Sequence, residues 1–194
     1  MEFTDEKIVE MIKAEKRLRE KKSIKDKAIR VKDKLYEFEE KSFYEDKLYM
    51  TIPKDFEDMT QEAKAIKYPY IQRPEIIKTN LEGSVDITFN RIDQDITEDL
   101  VEELTMGMKD MTKRMNPSNL IFSHGIRKAS DKNIGFFDFK SSAIDEPIYN
   151  VMFFLEFEEK VLMGKFACLY RDYKAWRDVA FQMIESIRVE LDEE

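Results

Sequence analysis

Ile148-Tyr-Asn-Val-Met-Phe-Phe-Leu-Glu-Phe157 decides the fold. On a pleated strand Tyr149, Val151, Phe153, Leu155 and Phe157 project from one face, and Ile148, Met152 and Phe154 from the other. Apolar residues on both faces predict a central strand covered on both sides. Glu158-Glu159-Lys160 supplies a polar turn. Val161 to Tyr170 returns with the same character, and Gly164 marks a candidate bulge. The period then changes. Trp176, Val179, Ala180, Met183, Ile184 and Ile187 recur at helical steps, with Asp172 placed to cap them. A hairpin and one amphipathic helix cannot bury their own apolar faces, so the rest of the chain has to supply further layers.

Upstream, Asn119 to Ser130 and Ile134 to Ser141 read as strands joined at Asp131-Lys132. Leu100, Leu104, Met108, Met111 and Met115 form a helical stripe that Asn116-Pro117 stops. Asp95 with Glu98, or Thr97 alone, caps its start. A methionine stripe at this spacing reads first as core; the alternative is an adaptable groove for apolar partners. Glu75 to Thr79 and Ser84 to Asn90 are strands around Asn80-Leu-Glu-Gly83, and Lys47 to Ile52 is a strand that Pro53 ends. Tyr36 to Tyr44 is a transition rich in Glu and aromatic residues, and a short helix lies within 55–66. In Lys67-Tyr-Pro-Tyr-Ile-Gln-Arg-Pro74 two prolines fix an extended course. Tyr68, Tyr70 and Arg73 on it are candidate partner contacts. A rigid crossover with its tyrosines packed on the sheet is the preferred reading.

Residues 5–22 read as a helix with a narrow stripe of Ile8, Met11, Ile12 and Leu18. Ser23 with Asp26 resembles a restart, and Ile24, Ala28, Val31 and Leu35 continue the stripe at helical steps. This divides the chain into a charged N-terminal helical extension, 1–34, and a domain, 42–189. Residues 1–34 hold 12 basic and 8 acidic side chains, net +4, which leaves −12 on the remainder of a chain whose total is −8. Such a helix can be a solvated tail, dock on the body, or contact a protein partner or a second copy through Ile24, Val31 and Leu35.

A chain of 194 residues with 42% hydrophobic and 12% aromatic residues has enough apolar material for a packed domain. The net charge of −8 disfavours nucleic acid as a partner. No stretch reaches the ~18 apolar residues of a membrane span, and the acidic start is not a secretory signal. The single cysteine, Cys168, permits no internal disulfide, which fits a cytoplasmic location. With His124 the only histidine, a zinc site or a Ser-His-Asp set is poorly supported, and no phosphate-binding glycine motif occurs. No cofactor, metal or catalytic residue is expected. Asp138, on an aromatic strand, is the one carboxylate worth testing for burial, with an outward position preferred.

The order of elements resembles a known family. A strand ending in Ile52-Pro53-Lys-Asp-Phe56 leads into antiparallel strands, one helix, a run of long strands and a last helix with Trp176 and Glu185-Ser-Ile187. This looks like the PsbP/DcrB-like alpha-beta-alpha sandwich, over about residues 42–189. Lys67-Tyr-Pro…Arg73-Pro74 is similar to segments in proteins of gut Firmicutes. The resemblance implies an α+β fold: an antiparallel sheet flanked by helices on both faces, here with an N-terminal helical extension. Family members with known roles mostly bind proteins. One shields the membrane helices of type VI secretion effectors, one binds the GTPase Ran, and plant members support photosystem II. The absence of an anchor cysteine departs from exported members. The resemblance therefore implies a cytoplasmic protein-binding or adaptor module without catalysis. The alternative is a small-molecule-binding domain or enzyme whose pocket no motif signals.

Overall fold

The computed structural model describes residues 23–26, 28–69, 73–143 and 145–190. The chain is a mixed α+β fold. Its large sheet has seven strands, β5 (Glu57–Asp58), β6 (Ile76–Thr79), β7 (Val85–Asp95), β8 (Leu120–Ala129), β9 (Lys132–Ser141), β10 (Ile148–Phe157) and β11 (Lys160–Leu169). They run in the order β5-β6-β7-β11-β10-β9-β8, every neighbouring pair antiparallel. β3 (Phe38–Phe43), β4 (Leu48–Pro53) and β12 (Arg188–Val189) make a three-stranded sheet, and β1 (Ile29–Val31) pairs with β2 (Lys34–Tyr36). The described helices are α1 (Gln61–Lys67), α2 (Val101–Met115) and α3 (Tyr173–Glu185).

β10 holds the position its sequence demands. It pairs with β11 along its whole length and with β9 from Ile148 to Phe154. Its alternate residues feed two separate apolar clusters. Tyr149, Val151, Phe153 and Leu155 join Trp176, Val179, Ala180, Met183 and Ile184 of α3 and Leu48, Met50 and Ile52 of β4. Phe154 joins Phe137 and Phe139 of β9, Val161 of β11 and Val101 of α2. Side chains on a strand alternate between faces, so the two clusters lie on opposite faces of the sheet. The expected bulge at Gly164 does not form: Gly164 stands in register opposite Phe153, and the irregularity falls between Lys160 and Val161. Asp172 donates no side-chain cap to α3; its carboxylate pairs instead with Lys32.

The helical reading of residues 24–35 gives way to a hairpin. Ile29 and Val31 alternate with exposed Arg30, and Lys32 takes a positive φ of 55° in the turn. Two β-branched residues two apart bury one face of a short strand as well as a helical stripe would, and here they meet α3. Ile24 and Val31 are buried in the α3 cluster, while Leu35 is exposed. The seam expected from Ile24 through Leu35 is therefore not a single surface, and the chain from Ile24 onward contributes to the core. Residues 5–22 lie outside the described residues. Phe38 to Phe43, expected as a transition, is a full strand paired with β4.

Trp176 is 2% exposed and meets the rings of Tyr36, Phe56 and Phe166 at centroid distances of 5.0, 6.2 and 5.9 Å. It joins the hairpin, the sheet and α3 in one contact. Trp176→Ala should lower unfolding stability by about 3–5 kcal/mol, read as a shifted denaturant midpoint at unchanged slope.

Candidate functional site: a methionine groove with an acidic rim

α2 begins tightly and ends loosely. A 3-10 turn, Glu98–Leu100, leads into it, and Val101 and Thr105 are its only buried residues. The close approach depends on Gly135 of β9. A Cβ at Gly135 would collide with the Thr105 side chain, whose hydroxyl donates to the Val101 carbonyl at 2.6 Å. The stripe itself is only partly covered. Leu104 and Met108 are half-buried against the core, and Leu100, Met111 and Met115 are exposed at 45%, 40% and 78%. The stripe expected first as core is core through Met108 and exposed from Met111 on.

The open part forms one wall of a groove. Two adjoining depressions, about 400 and 660 Å³, share Asp95, Ile96 and Leu100. Leu104, Gly107, Met108 and Met111 continue the apolar wall. Carboxylates ring it: Asp95, Glu98, Glu103, Glu156 and Glu159, against one lining cation, Arg114. The β10–β11 turn sets the far rim. Glu158 and Glu159 both take positive φ, 53° and 62°, as the two central residues of a primed hairpin turn do. The Glu159 carbonyl accepts from the Ile96 N–H at 3.0 Å and fixes the groove floor.

The rim is only partly neutralised. Lys160 reaches Asp93 at 2.8 Å and Asp95 at 2.6 Å, and its hydrogen bond holds the Asp93 carboxyl below the usual carboxylate range. Lys132 pairs with Glu156. Glu98 Oε1 accepts from the Asn133 N–H, while Glu98 Oε2 is buried and has no hydrogen-bond partner among the described residues.

Two buried carboxylates elsewhere, Asp138 and Asp86, are satisfied by their own neighbours. Asp138 is buried, not outward as expected. It accepts from the Ser123 N–H and hydroxyl at 2.7 and 2.6 Å, from Tyr149 at 2.8 Å and from Arg177 Nε at 2.8 Å. The reason is the β8 irregularity between Ile121 and Ser123, which turns Ser123 toward Asp138. Burial, then the nearby Asp138 charge, pushes the Tyr149 hydroxyl pKa up. Asp86 is the second buried carboxylate; Lys67, Tyr68 and Thr79 converge on it. Tyr68 is thereby part of a structural network, Arg73 is exposed, and Tyr70 lies outside the described residues. His124 is exposed on β8. Cys168 is buried, and burial pushes its thiol well above its ordinary value, away from nucleophilic use. Among the described residues no group of three or more His, Cys, Asp or Glu is placed to hold a metal ion, and no helix is long and apolar enough to cross a membrane.

The layers and strand order define a PsbP-like fold. The solution structure of PsbP (CyanoP) from Synechocystis sp. superposes at a TM-score of 0.56 and 7% identity, covering 79% of this chain and 92% of that one. A crystal structure from Bacteroides thetaiotaomicron gives 0.51 at 8% identity, covering 76% of this chain and 46% of that chain. No family model matches the chain, and no curated protein does. At such identities the likeness is one of fold.

Two outcomes follow from the closed polar centres. Asp138→Ala should cost about 3 kcal/mol, the low end for breaking a buried ion pair, because a third of the Arg177 side chain stays in water. Cys168 should react with a thiol reagent only as fast as the protein unfolds, so native labelling and denaturant-unfolded labelling should differ by orders of magnitude.

Proposed function

We propose that the protein is a protein-binding module without catalysis, and that its partner seats in the groove beside α2. The observation that carries this reading is the exposed half of α2. A helix of 15 residues with two buried packs Leu104 and Met108 only partly on the core and leaves Leu100 and Met111 exposed along a depression. Exposed contiguous apolar surface rimmed by polar groups marks an interaction site, and methionine adapts its shape to what docks there. The fold supports the same reading. The separate apolar clusters under α2 and α3 suit an α/β/α sandwich, a frame on which one outer helix can carry a binding face without weakening the other layer. The lone buried Cys168 suits a reducing compartment, and a cytoplasmic location is part of this proposal. An enzyme would need converging polar groups in an enclosed site. The groove is open along its length, and Asp138 and Asp86 are spent on their own neighbours.

Met111→Glu places a charge in the groove at a position already 40% exposed, so the thermal midpoint should stay within a degree or two. Partners retained from native lysate by the wild-type chain should be lost by this variant and kept by Leu81→Glu, on a turn residue 93% exposed and remote from α2. Equal retention by all three chains sinks the assignment of the groove.

A further inference from the structure

We infer that the groove takes a cationic amphipathic helix of about three turns from another protein, with one apolar side chain seated over Gly107. The inference rests on the binding-module reading and names the chemistry of its partner.

Length sets the first limit. From Leu100 to Met111 the stripe runs roughly 16 Å along the axis, at ~1.5 Å per residue, which matches three turns of a facing helix. Charge sets the second. Five carboxylates line the two depressions and Arg114 is the one lining cation. Lys132 and Lys160 offset Glu156 and Asp95, and the remaining lining carboxylates keep the groove acidic. A lysine or arginine beside the partner's apolar stripe complements that rim.

Gly107 sets the third. It sits in the middle of α2, where glycine costs about 1 kcal/mol relative to alanine. Its backbone is not in the left-handed region, and a Cβ on it would meet nothing within 4 Å. Neither the backbone nor the packing among the described residues requires glycine there. Gly135 shows what the fold does with a glycine that faces a neighbour: it lets Thr105 come close. Gly107 offers the same gap to the outside, between Leu104, Met108 and Met111 in the groove wall. It is a notch in the groove wall wide enough for an apolar side chain of the partner.

The test uses the full chain and labelled 14-residue peptides read by fluorescence anisotropy. One has a leucine stripe flanked by lysine, one the same stripe flanked by glutamate, and one the lysine peptide's residues in scrambled order. The lysine helix should bind at least about tenfold tighter than the glutamate helix, and that margin should shrink at high salt. Gly107→Gln should weaken the lysine helix by about tenfold or more while its thermal midpoint is unchanged or higher, since glutamine is the better helix former. A separation of binding from stability in that direction supports the notch. Tight binding of the glutamate helix that Gly107→Gln still blocks overturns the charge assignment and leaves the groove reading standing. Binding of both helices that ignores Gly107→Gln and Met111→Glu overturns the groove reading itself. Equal binding by the scrambled peptide reduces the effect to bulk charge and overturns the inference. A peptide of residues 5–22 that displaces the lysine helix more strongly than unlabelled lysine helix does makes this chain's own segment, in cis or from a second copy, the occupant, and overturns the assignment to another protein.

Discussion

The two-sided burial of β10 is the constraint on which the structure depends. A strand with Tyr149, Val151, Phe153 and Leu155 on one face and Phe154 on the other cannot lie at a surface. It must be paired on both edges and covered on both faces, and β9, β11, α2 and α3 are arranged around that need. At about 25 cal/mol per Å² of buried apolar surface, aromatic side chains of 150–250 Å² each make this the dominant favourable contribution. The hairpin of residues 29–36 and the small sheet extend the α3 side, which is why that cluster is much the larger of the two.

The unequal clusters explain where a binding surface can exist. On the α3 side, the β1–β2 hairpin and the small sheet close over the helix and bury its apolar face. On the α2 side one helix stands alone, fixed at its root by Thr105 against Gly135 and fringed by carboxylates from β7, β10 and the turn after it. Val101, Leu104 and Met108 of α2 meet the core below. The last turns, from Met111, carry exposed methionines among charged residues instead.

Much of the frame was legible in local pattern. The alternating aromatic strands from Ile134 to Leu169 and the Trp176 stripe state their period and their buried faces without help from distant residues. The failures have physical causes. Ile24, Ala28, Val31 and Leu35 fit a helix, but strands of three residues around a Lys-Asp turn carry too little pattern to compete with it, and only contact with α3 decides the matter. Phe38 to Phe43 was hidden by its run of exposed charged residues. Asp138 could not be read as buried because its partners Ser123, Tyr149 and Arg177 stand 15, 11 and 39 residues away. The methionine stripe was visible as a face. Whether that face met a core or solvent depended on how far β7 and the β10–β11 turn reach beneath α2, and no local period encodes that.

Among the described residues β8 ends the large sheet as a ten-residue strand with β9 alone beside it. A long, flat outer strand invites another chain to continue the hydrogen-bond ladder, and through it to polymerise. This one is irregular between Ile121 and Ser123, bears exposed His124 and Lys128, and lays a partly exposed Phe122 against Tyr149 and Tyr173. Its outer amides and carbonyls therefore do not present a straight template. Strand addition is discouraged at the side where the sheet is longest, and with it the open-ended stacking of copies into fibres.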